Sequence, residues 1–320
     1  MARLPKVFLA LLAACSVALM PRVAEAQNIS IDGRFSAAQS LMGPHYAIGA
    51  NLGSQVGSNL FHSFGQFDLS TGESATFSGP AITSNVIGRV TGGSQSTING
   101  RIASTIAGAN LYLINPSGIV FGPNATVNVS GGFHASTADY LRMSDGTKFQ
   151  ATNPDASTLS AAPPAAFGFL TPRPAALTVN GSTLGPVPGT IGLVAGPVNI
   201  SSGTLRAPAG TIHFTGVAGT GVVPVDPRNT PALTVTSFAP VAVEGRSNLD
   251  VGNAGTLGSG GSVFIRAGAL TIDASTIAAD NFAPGPGGQL VLRGDNRITL
   301  RNGASVQAST RGSGSGAGIT

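Results

Sequence analysis

The amino-acid sequence predicts an all-β protein and, within that class, a parallel β-helix, in which short strands coil into stacked rungs. The chain of 320 residues has 45 glycines and only 9% charged residues, and its short Val-, Ile- and Thr-rich runs are separated by Gly, Asn or Ser. No segment after residue 26 keeps the apolar spacing of an amphipathic helix over several turns without a Gly or Pro. An apolar content of 42% argues against disorder.

A sequence repeat near the C-terminus is the evidence for stacked rungs. The strand-like residues 260–266 recur as residues 287–293 and begin again at residue 316, and each full copy is followed by two more short apolar runs. Three short strands in a period of roughly 20–30 residues are typical of a parallel β-helix, whose rungs stack at about 4.8 Å. The alternative fold is a β-sandwich, because Asn99-Gly100 and Asp145-Gly146 are hairpin signals. In the β-helix we expect them to form local antiparallel hairpins.

Residues 1–26 have the layout of a secretory signal peptide. Arg3 and Lys6 precede an apolar run, and Ala24-Glu25-Ala26 is a small-residue cleavage site. Cleavage between Ala26 and Gln27 would release an exported mature chain.

Cys15 supports a different leader. Residues 12–15 resemble a bacterial lipoprotein cleavage box, at which Cys15 would be lipidated. Cleavage after Ala26 instead leaves no cysteine in the mature chain, which packing and hydrogen bonds alone must then stabilise. The charges that remain are sparse and scattered, so we expect no nucleic-acid partner.

We divide the chain into four segments: the leader, a cap and core at 27–145, a side extension with further rungs at 146–250, and Gly-rich repeats at 251–320. The repeats stop in mid-rung, as expected for a fragment of a longer protein. A hydrophobic N-terminal cap is predicted by four phenylalanines, Phe61, Phe64, Phe67 and Phe77. Residues 134–174 break the rung spacing and contain a Pro-rich stretch, which predicts an extension lying beside the β-helix.

Residues 109–139 are the most informative stretch of the chain. Asn115-Pro116-Ser117-Gly118 separates an apolar run from a second β-rich run that begins at Ile119. Asn-Pro starts a turn because Pro fixes φ, and Gly118 supplies a positive φ. The block resembles the Asn-Pro-Asn-Gly-Ile signature of the secretion domain of filamentous haemagglutinin-type exoproteins. Ser117 stands where that family often has Asn.

The resemblance covers nearly the whole mature chain through four blocks in order, at residues 59–64, 72–74, 85–93 and 115–139. It is to the haemagglutination-activity, or two-partner secretion, domain. The resemblance implies a right-handed parallel β-helix, crossing of the inner membrane by the general secretory machinery, and recognition by an outer-membrane transporter, a barrel with POTRA domains. Carried over by residue, the recognition turn consists of Asn115, Pro116, Ser117, Gly118 and Ile119.

The resemblance also implies an adhesin that is secreted or held at the cell surface of a Gram-negative-type bacterium. A host or bacterial surface receptor or a carbohydrate would then be a further partner. Two other functions stay open: the secretion and scaffold domain of a larger toxin or contact-dependent inhibition protein, and a β-helical polysaccharide-active enzyme.

Catalysis is not expected from these residues. Asp and Glu are few and mostly single, and the four histidines are scattered, so we expect no catalytic residue, metal or cofactor. Arg293-Gly294-Asp295 would suit an integrin ligand, but Gly-Asp after a strand is ordinary corner chemistry, and we interpret it as a corner.

Overall fold

The computed structural model describes residues 28–253, 255 and 258–320. The expected leader, its cleavage site between Ala26 and Gln27, and the alternative lipidation at Cys15 lie outside the described residues. Among the residues described, no helix is long and apolar enough to cross a membrane. The helical elements in this part are three short 3-10 turns, Ala50–Leu52, Pro154–Ala156 and Thr230–Ala232.

The described residues form a parallel β-helix with three faces, which confirms the predicted fold class. On the first face, Leu111, Phe133 and Ile191 are in register on successive rungs and are buried in the interior. The strands of this face are Asn59–Phe67, Asn85–Val90, Asn110–Ile114, Phe133–Ser136, Thr190–Ala195, Thr211–Gly216, the first parts of Ser262–Asp273 and Gln289–Arg301, and Gly318–Ile319.

The second and third faces are also parallel ladders, and the three faces enclose one apolar core. The second face contains Ser96–Ile98, Ile119–Phe121, Leu177–Asn180, Val198–Ser201, Val241–Glu244 and the later parts of Ser262–Asp273 and Gln289–Arg301. The third face contains His45–Ile48, Ser74–Phe77, Arg101–Ser104, Thr126–Asn128, Thr183–Leu184, Thr204–Arg206, Asn248–Asp250, Thr276–Ala278 and Ser305–Gln307.

Asn99-Gly100 does not form the expected hairpin. It is the corner that joins Ser96–Ile98 of the second face to Arg101–Ser104 of the third. Glycine is required there because a Cβ atom on Gly100 would lie 2.4 Å from the carbonyl oxygen of Glu73 on the preceding rung. The close approach of two rungs therefore explains this Asn-Gly pair.

The N-terminal cap is built from antiparallel strands. Ile29–Ile31 pairs with both Gln39–Ser40 and Asn59–Phe67, and Ser54–Val56 pairs with Asn59–Phe67 as well. Three of the predicted phenylalanines pack together: the ring centroids of Phe64 and Phe67 are 5.0 Å apart, and those of Phe67 and Phe77 are 6.2 Å apart.

Phe61 departs from the predicted cap cluster. Its side chain packs on Phe149 of the side extension, with ring centroids 5.0 Å apart. Side chains alternate between the two sides of a strand, and Phe61 belongs to the cluster under the extension, whereas Leu60 belongs to the interior core.

The extension is a four-stranded antiparallel sheet lying on the first face, with strands Lys148–Gln150, Tyr140–Met143, Pro164–Phe169 and Gly221–Pro224 in spatial order. Asp145-Gly146 forms the predicted hairpin, with Gly146 at φ 89°. The fourth strand comes from a second excursion, residues 217–240, which we expected to form rungs. Its run Gly221-Val222-Val223 has the composition of a rung strand, and its antiparallel pairing depends on contacts far along the chain.

Candidate functional site

The predicted recognition turn forms one corner of the β-helix, which we call the 115–119 corner. It leads from strand Asn110–Ile114 on the first face to strand Ile119–Phe121 on the second. Its five residues, Asn115, Pro116, Ser117, Gly118 and Ile119, are contiguous in this one turn. Asn115 and Ile119 are 0% exposed, while Pro116 and Ser117 are half-buried.

The Asn115 side chain holds this corner from the inside. Its Oδ1 accepts a hydrogen bond from the Ser117 N–H at 2.9 Å, and its Nδ2 donates to the Ser94 carbonyl oxygen at 2.9 Å and to Ser96 Oγ at 3.0 Å. The Asn115 backbone N–H donates to the Ser136 carbonyl oxygen at 2.9 Å. The one residue therefore binds to its own turn, to the rung before and to the rung after.

Gly118 closes the turn with a backbone that other residues rarely adopt. Its φ is 114°, and a Cβ atom at this position would lie 2.9 Å from Nε2 of Gln95. Its N–H donates to the Asn115 carbonyl oxygen at 3.1 Å, and its own carbonyl oxygen accepts from the Ser96 N–H at 3.0 Å. The torsion angle therefore favours glycine here, whereas the contact could be relieved by a movement of the flexible Gln95 side chain.

Ser117 fits the corner although the family often has Asn at this place. The hydrogen bond that it gives to Asn115 comes from its backbone N–H. Because the side chain takes no part in that bond, the geometry of the turn is compatible with serine.

Asparagines outside the predicted site form a ladder that sequence reasoning missed. Nδ2 of Asn85 donates to Oδ1 of Asn59 at 2.9 Å, and Nδ2 of Asn110 donates to Oδ1 of Asn85 at 3.0 Å. Asn59 in turn donates to the carbonyl oxygens of Ser160 and Ala162 in the extension, at 2.9 and 2.7 Å. The signal in the sequence is an asparagine at the start of three successive first-face strands.

Arg89 is a second residue that sequence reasoning missed. It is 1% exposed on strand Asn85–Val90, and its guanidinium carbon lies 4.3 Å from the ring centroid of Phe149. Its Nε donates to Ser63 Oγ at 2.8 Å, and its Nη1 donates to the Gln150 carbonyl oxygen at 2.6 Å. Burial lowers the pKa of Arg89 to about 10, so the side chain is charged at neutral pH.

Three histidines, His62, His134 and His213, are buried. Burial lowers the pKa of His62 to about 4, that of His134 to about 3 and that of His213 to about 4. The His134 ring stacks on Tyr112, with ring centroids 4.5 Å apart. The described residues contain no cluster of three or more His, Cys, Asp or Glu side chains that would hold a metal ion. The absence of catalytic residues and cofactors stays an expectation.

Arg293-Gly294-Asp295 lies within the continuous strand Gln289–Arg301, where that strand passes from the first face to the second. The Asp295 carboxylate is 2.6 Å from Nη2 of Arg266 on the preceding rung. Arg293 and Gly294 therefore pair in the rung ladder, while Asp295 lies at a shift of register and is engaged in an ion pair.

Comparison with known proteins defines the class. Residues 26–272 match the family model of the TPS secretion domain. The chain belongs to this family of secretion domains, as the sequence resemblance predicted.

Individual proteins and solved structures resemble this chain only in part or at low sequence identity. The chain is 37% identical over 79 residues to the heme/hemopexin-binding protein of Haemophilus influenzae; this match spans 25% of the chain but only 8% of that protein. The HMW1 secretion domain of Haemophilus influenzae matches with 20% identity over 89% of this chain and 71% of that one, at a TM-score of 0.48. A filamentous hemagglutinin secretion domain matches with 16% identity over 82% and 90%, at a TM-score of 0.42.

Proposed function

We propose that this chain is the secretion domain of an exported protein and that a POTRA-containing outer-membrane transporter recognises its 115–119 corner before that corner folds. The general secretory machinery would deliver the chain to the periplasm. The observation that carries the proposal is the burial of Asn115, which is 0% exposed. A side chain enclosed by its own turn and by both neighbouring rungs is accessible to a partner only while the corner is open.

The folded corner supports this order of events. Asn115 donates hydrogen bonds to Ser94 on the rung before and to Ser136 on the rung after. The corner is therefore complete only after the following rung strand, Phe133–Ser136, is in place. A chain that arrives unfolded presents Asn115, Pro116 and Ile119 for recognition, and the same residues then close the corner.

The test measures binding of the periplasmic POTRA domains to the chain, once freshly diluted from denaturant and once fully refolded. We expect the unfolded chain to bind, the refolded chain to bind much more weakly, and Asn115→Ala to weaken binding of the unfolded chain about tenfold. Asn124→Ala is the matched control, because Asn124 is an exposed asparagine in the next corner. Equal binding of folded and unfolded chain would refute recognition before folding.

We further propose that the exported protein is an adhesin at the bacterial surface. The resemblance to haemagglutinin-type exoproteins and the long outer surface of the β-helix support this role. Bacteria with and without the gene are compared for attachment to host cells and to one another. Attachment that depends on the gene supports adhesion, while growth inhibition of neighbouring bacteria without attachment would favour the toxin alternative.

A further inference from the structure

A groove opens on the first face where the cover of the extension ends. Its volume is about 550 Å³. The floor is formed by three neighbouring strands, Thr211–Gly216, Ser262–Asp273 and Gln289–Arg301. The wall is formed by the second excursion, residues 217–240, which contributes Pro224, Pro227 and Arg228, among others. The groove is separate from the 115–119 corner, none of whose residues line it.

The register of the β-helix aligns two arginines along the floor. Thr215, Arg266 and Arg293 occupy equivalent positions on the three strands. Arg266 and Arg293 therefore lie side by side on adjacent strands, whose backbones are about 4.8 Å apart. Arg293 is exposed and forms no ion pair with any residue that the structure describes.

A third arginine enters from the wall. The guanidinium carbon of Arg228 lies 5.1 Å from the ring centroid of Phe264, and its Nη2 is 3.4 Å from Ser262 Oγ. Asp226 is 3.7 Å from Nη1 of this arginine but is not part of the lining. Among the described residues that line the groove, three are arginines and none is acidic.

Arg266 carries a hydrogen-bond donor that this structure leaves unused. Its Nη2 pairs with Asp295 at 2.6 Å, and its guanidinium carbon lies 4.3 Å from the ring centroid of Phe238. Its Nε is buried and has no hydrogen-bond partner among the residues described. A buried donor without a partner is destabilising. Nε itself is enclosed, so a bound ligand would contact the exposed part of the Arg266 side chain, which is 30% exposed as a whole.

The hydrogen-bond donors considered in this groove belong to side chains. Such donors suit a glycan ligand better than a peptide, which would need backbone partners. Peptides usually bind to β-proteins by pairing with a free strand edge. Here Ser262–Asp273 pairs with a floor strand on each side, and Gln289–Arg301 is paired on both sides as far as Leu292. Pro224 and Pro227 in the wall have no backbone N–H. Guanidinium groups match the planar oxygens of carboxylate and sulfate, and Gln289 and Thr230 supply partners for sugar hydroxyl groups.

We propose that this groove binds an acidic polysaccharide, whose carboxylate or sulfate groups contact Arg228, Arg266 and Arg293. The proposal rests on the adhesive part of the proposed function and names its ligand class, while export does not enter it. Gln289 and Thr230 would orient the sugar ring between the charged contacts.

The test uses the purified full chain, with its fold checked by circular dichroism. Binding is measured to polygalacturonate, which carries carboxylates, to dextran sulfate, which carries sulfates, and to neutral dextran. We expect binding to at least one acidic polymer and none to dextran; the stronger of the two acidic polymers identifies the anionic group. Arg293→Gln should weaken binding at least about tenfold.

Arg297→Gln is the matched control, because Arg297 is an exposed arginine on the same strand and outside the groove. Its affinity should stay within about twofold of the unchanged chain. Equal losses for Arg293→Gln and Arg297→Gln would show non-specific attraction to charge and overturn the proposal, as would the absence of binding to both acidic polymers. If bacteria carrying the gene still attach to cells in that case, the groove assignment fails while the adhesin proposal stands.

Discussion

Two strands of the first face, Phe133–Ser136 and Gln289–Arg301, have the same place in the rung but opposite surroundings. All four residues of the first strand are buried, and its outward residue His134 lies under the extension, stacked on Tyr112. On the second strand the inward Leu290 is buried, but the outward Arg293 is exposed. Leu290 therefore meets the same core as the inward residues of earlier rungs, although Ile298 and Leu300, the inward residues further along its strand, are 43% and 48% exposed. Outward positions depend on whether the extension covers them.

The largest expected effect tests the inward half of this comparison. Ile191 and Leu290 are both 0% exposed and belong to the same interior core. Ile191→Ala and Leu290→Ala should each lower the free energy of unfolding by about 2–5 kcal/mol, because each leaves a cavity in the core. Urea unfolding followed by circular dichroism measures this. A loss below about 1 kcal/mol for Leu290→Ala alone would show that the core is not equivalent along the β-helix.

The second largest expected effect tests how the extension is attached to the first face. Arg89→Met removes the buried cation that joins the first face to Gln150 and Phe149 of the extension. It should cost about 3 kcal/mol, because buried oxygen acceptors lose their charged partner. Limited proteolysis within residues 150–162 should become faster.

Arg297→Met is the control for that variant, because Arg297 is an exposed residue of strand Gln289–Arg301. A surface substitution of this kind should change stability by less than about 0.5 kcal/mol. Equal effects of the two substitutions would show that Arg89 does not fasten the extension.

The smallest expected effect is a loss of folding stability as the pH falls. Burial lowers the pKa of His134 to about 3, so the folded chain resists protonation that the unfolded chain accepts near pH 6.5. Above pH 6.5 this histidine has no effect on stability, and as the pH falls below 6.5 stability is lost, by about 2 kcal/mol at pH 5. His134→Gln should remove this part of the pH dependence, measured as urea midpoints between pH 7 and pH 5.

His45→Gln is the corresponding control, since His45 is an exposed residue of the third face. It should change the free energy of unfolding at pH 7 by less than about 0.5 kcal/mol, as is usual for a surface substitution. A pH profile of His134→Gln that is identical to that of the unchanged chain would mean that the buried ring does not contribute to acid sensitivity.

The sequence was sufficient to predict the β-helix, the N-terminal cap, the Asp145-Gly146 hairpin and the 115–119 corner. These features depend on local alternation and turn chemistry, which a single stretch of chain contains. Asn99-Gly100 shows the limit of that information, because the same dipeptide suits a hairpin and a corner between two faces.

The sequence alone could not predict which outward residues the extension covers. Gly221–Pro224 has the composition of a rung strand but pairs with Pro164–Phe169 of the extension. Phe61 and Arg89 are outward residues whose burial arises only because the extension folds back onto them. A period of two residues identifies which side chains share a side of a strand, but it does not say which rungs lie beneath another layer.

The stacking of rungs has a mechanical consequence. Residues 102 and 127 occupy the same position on successive rungs, so one rung of about 25 residues contributes only about 4.8 Å of length. Pulled free, the same residues span roughly 85 Å. Tension along the axis loads the hydrogen bonds between rungs one after another, so each rung that detaches lengthens the molecule more than tenfold relative to its rise. In a force spectrometer such a rung would lengthen the molecule by a step of roughly 80 Å. The rungs from residue 133 to 191 and from residue 212 to 263 contain the extension and the second excursion, so they would give longer steps.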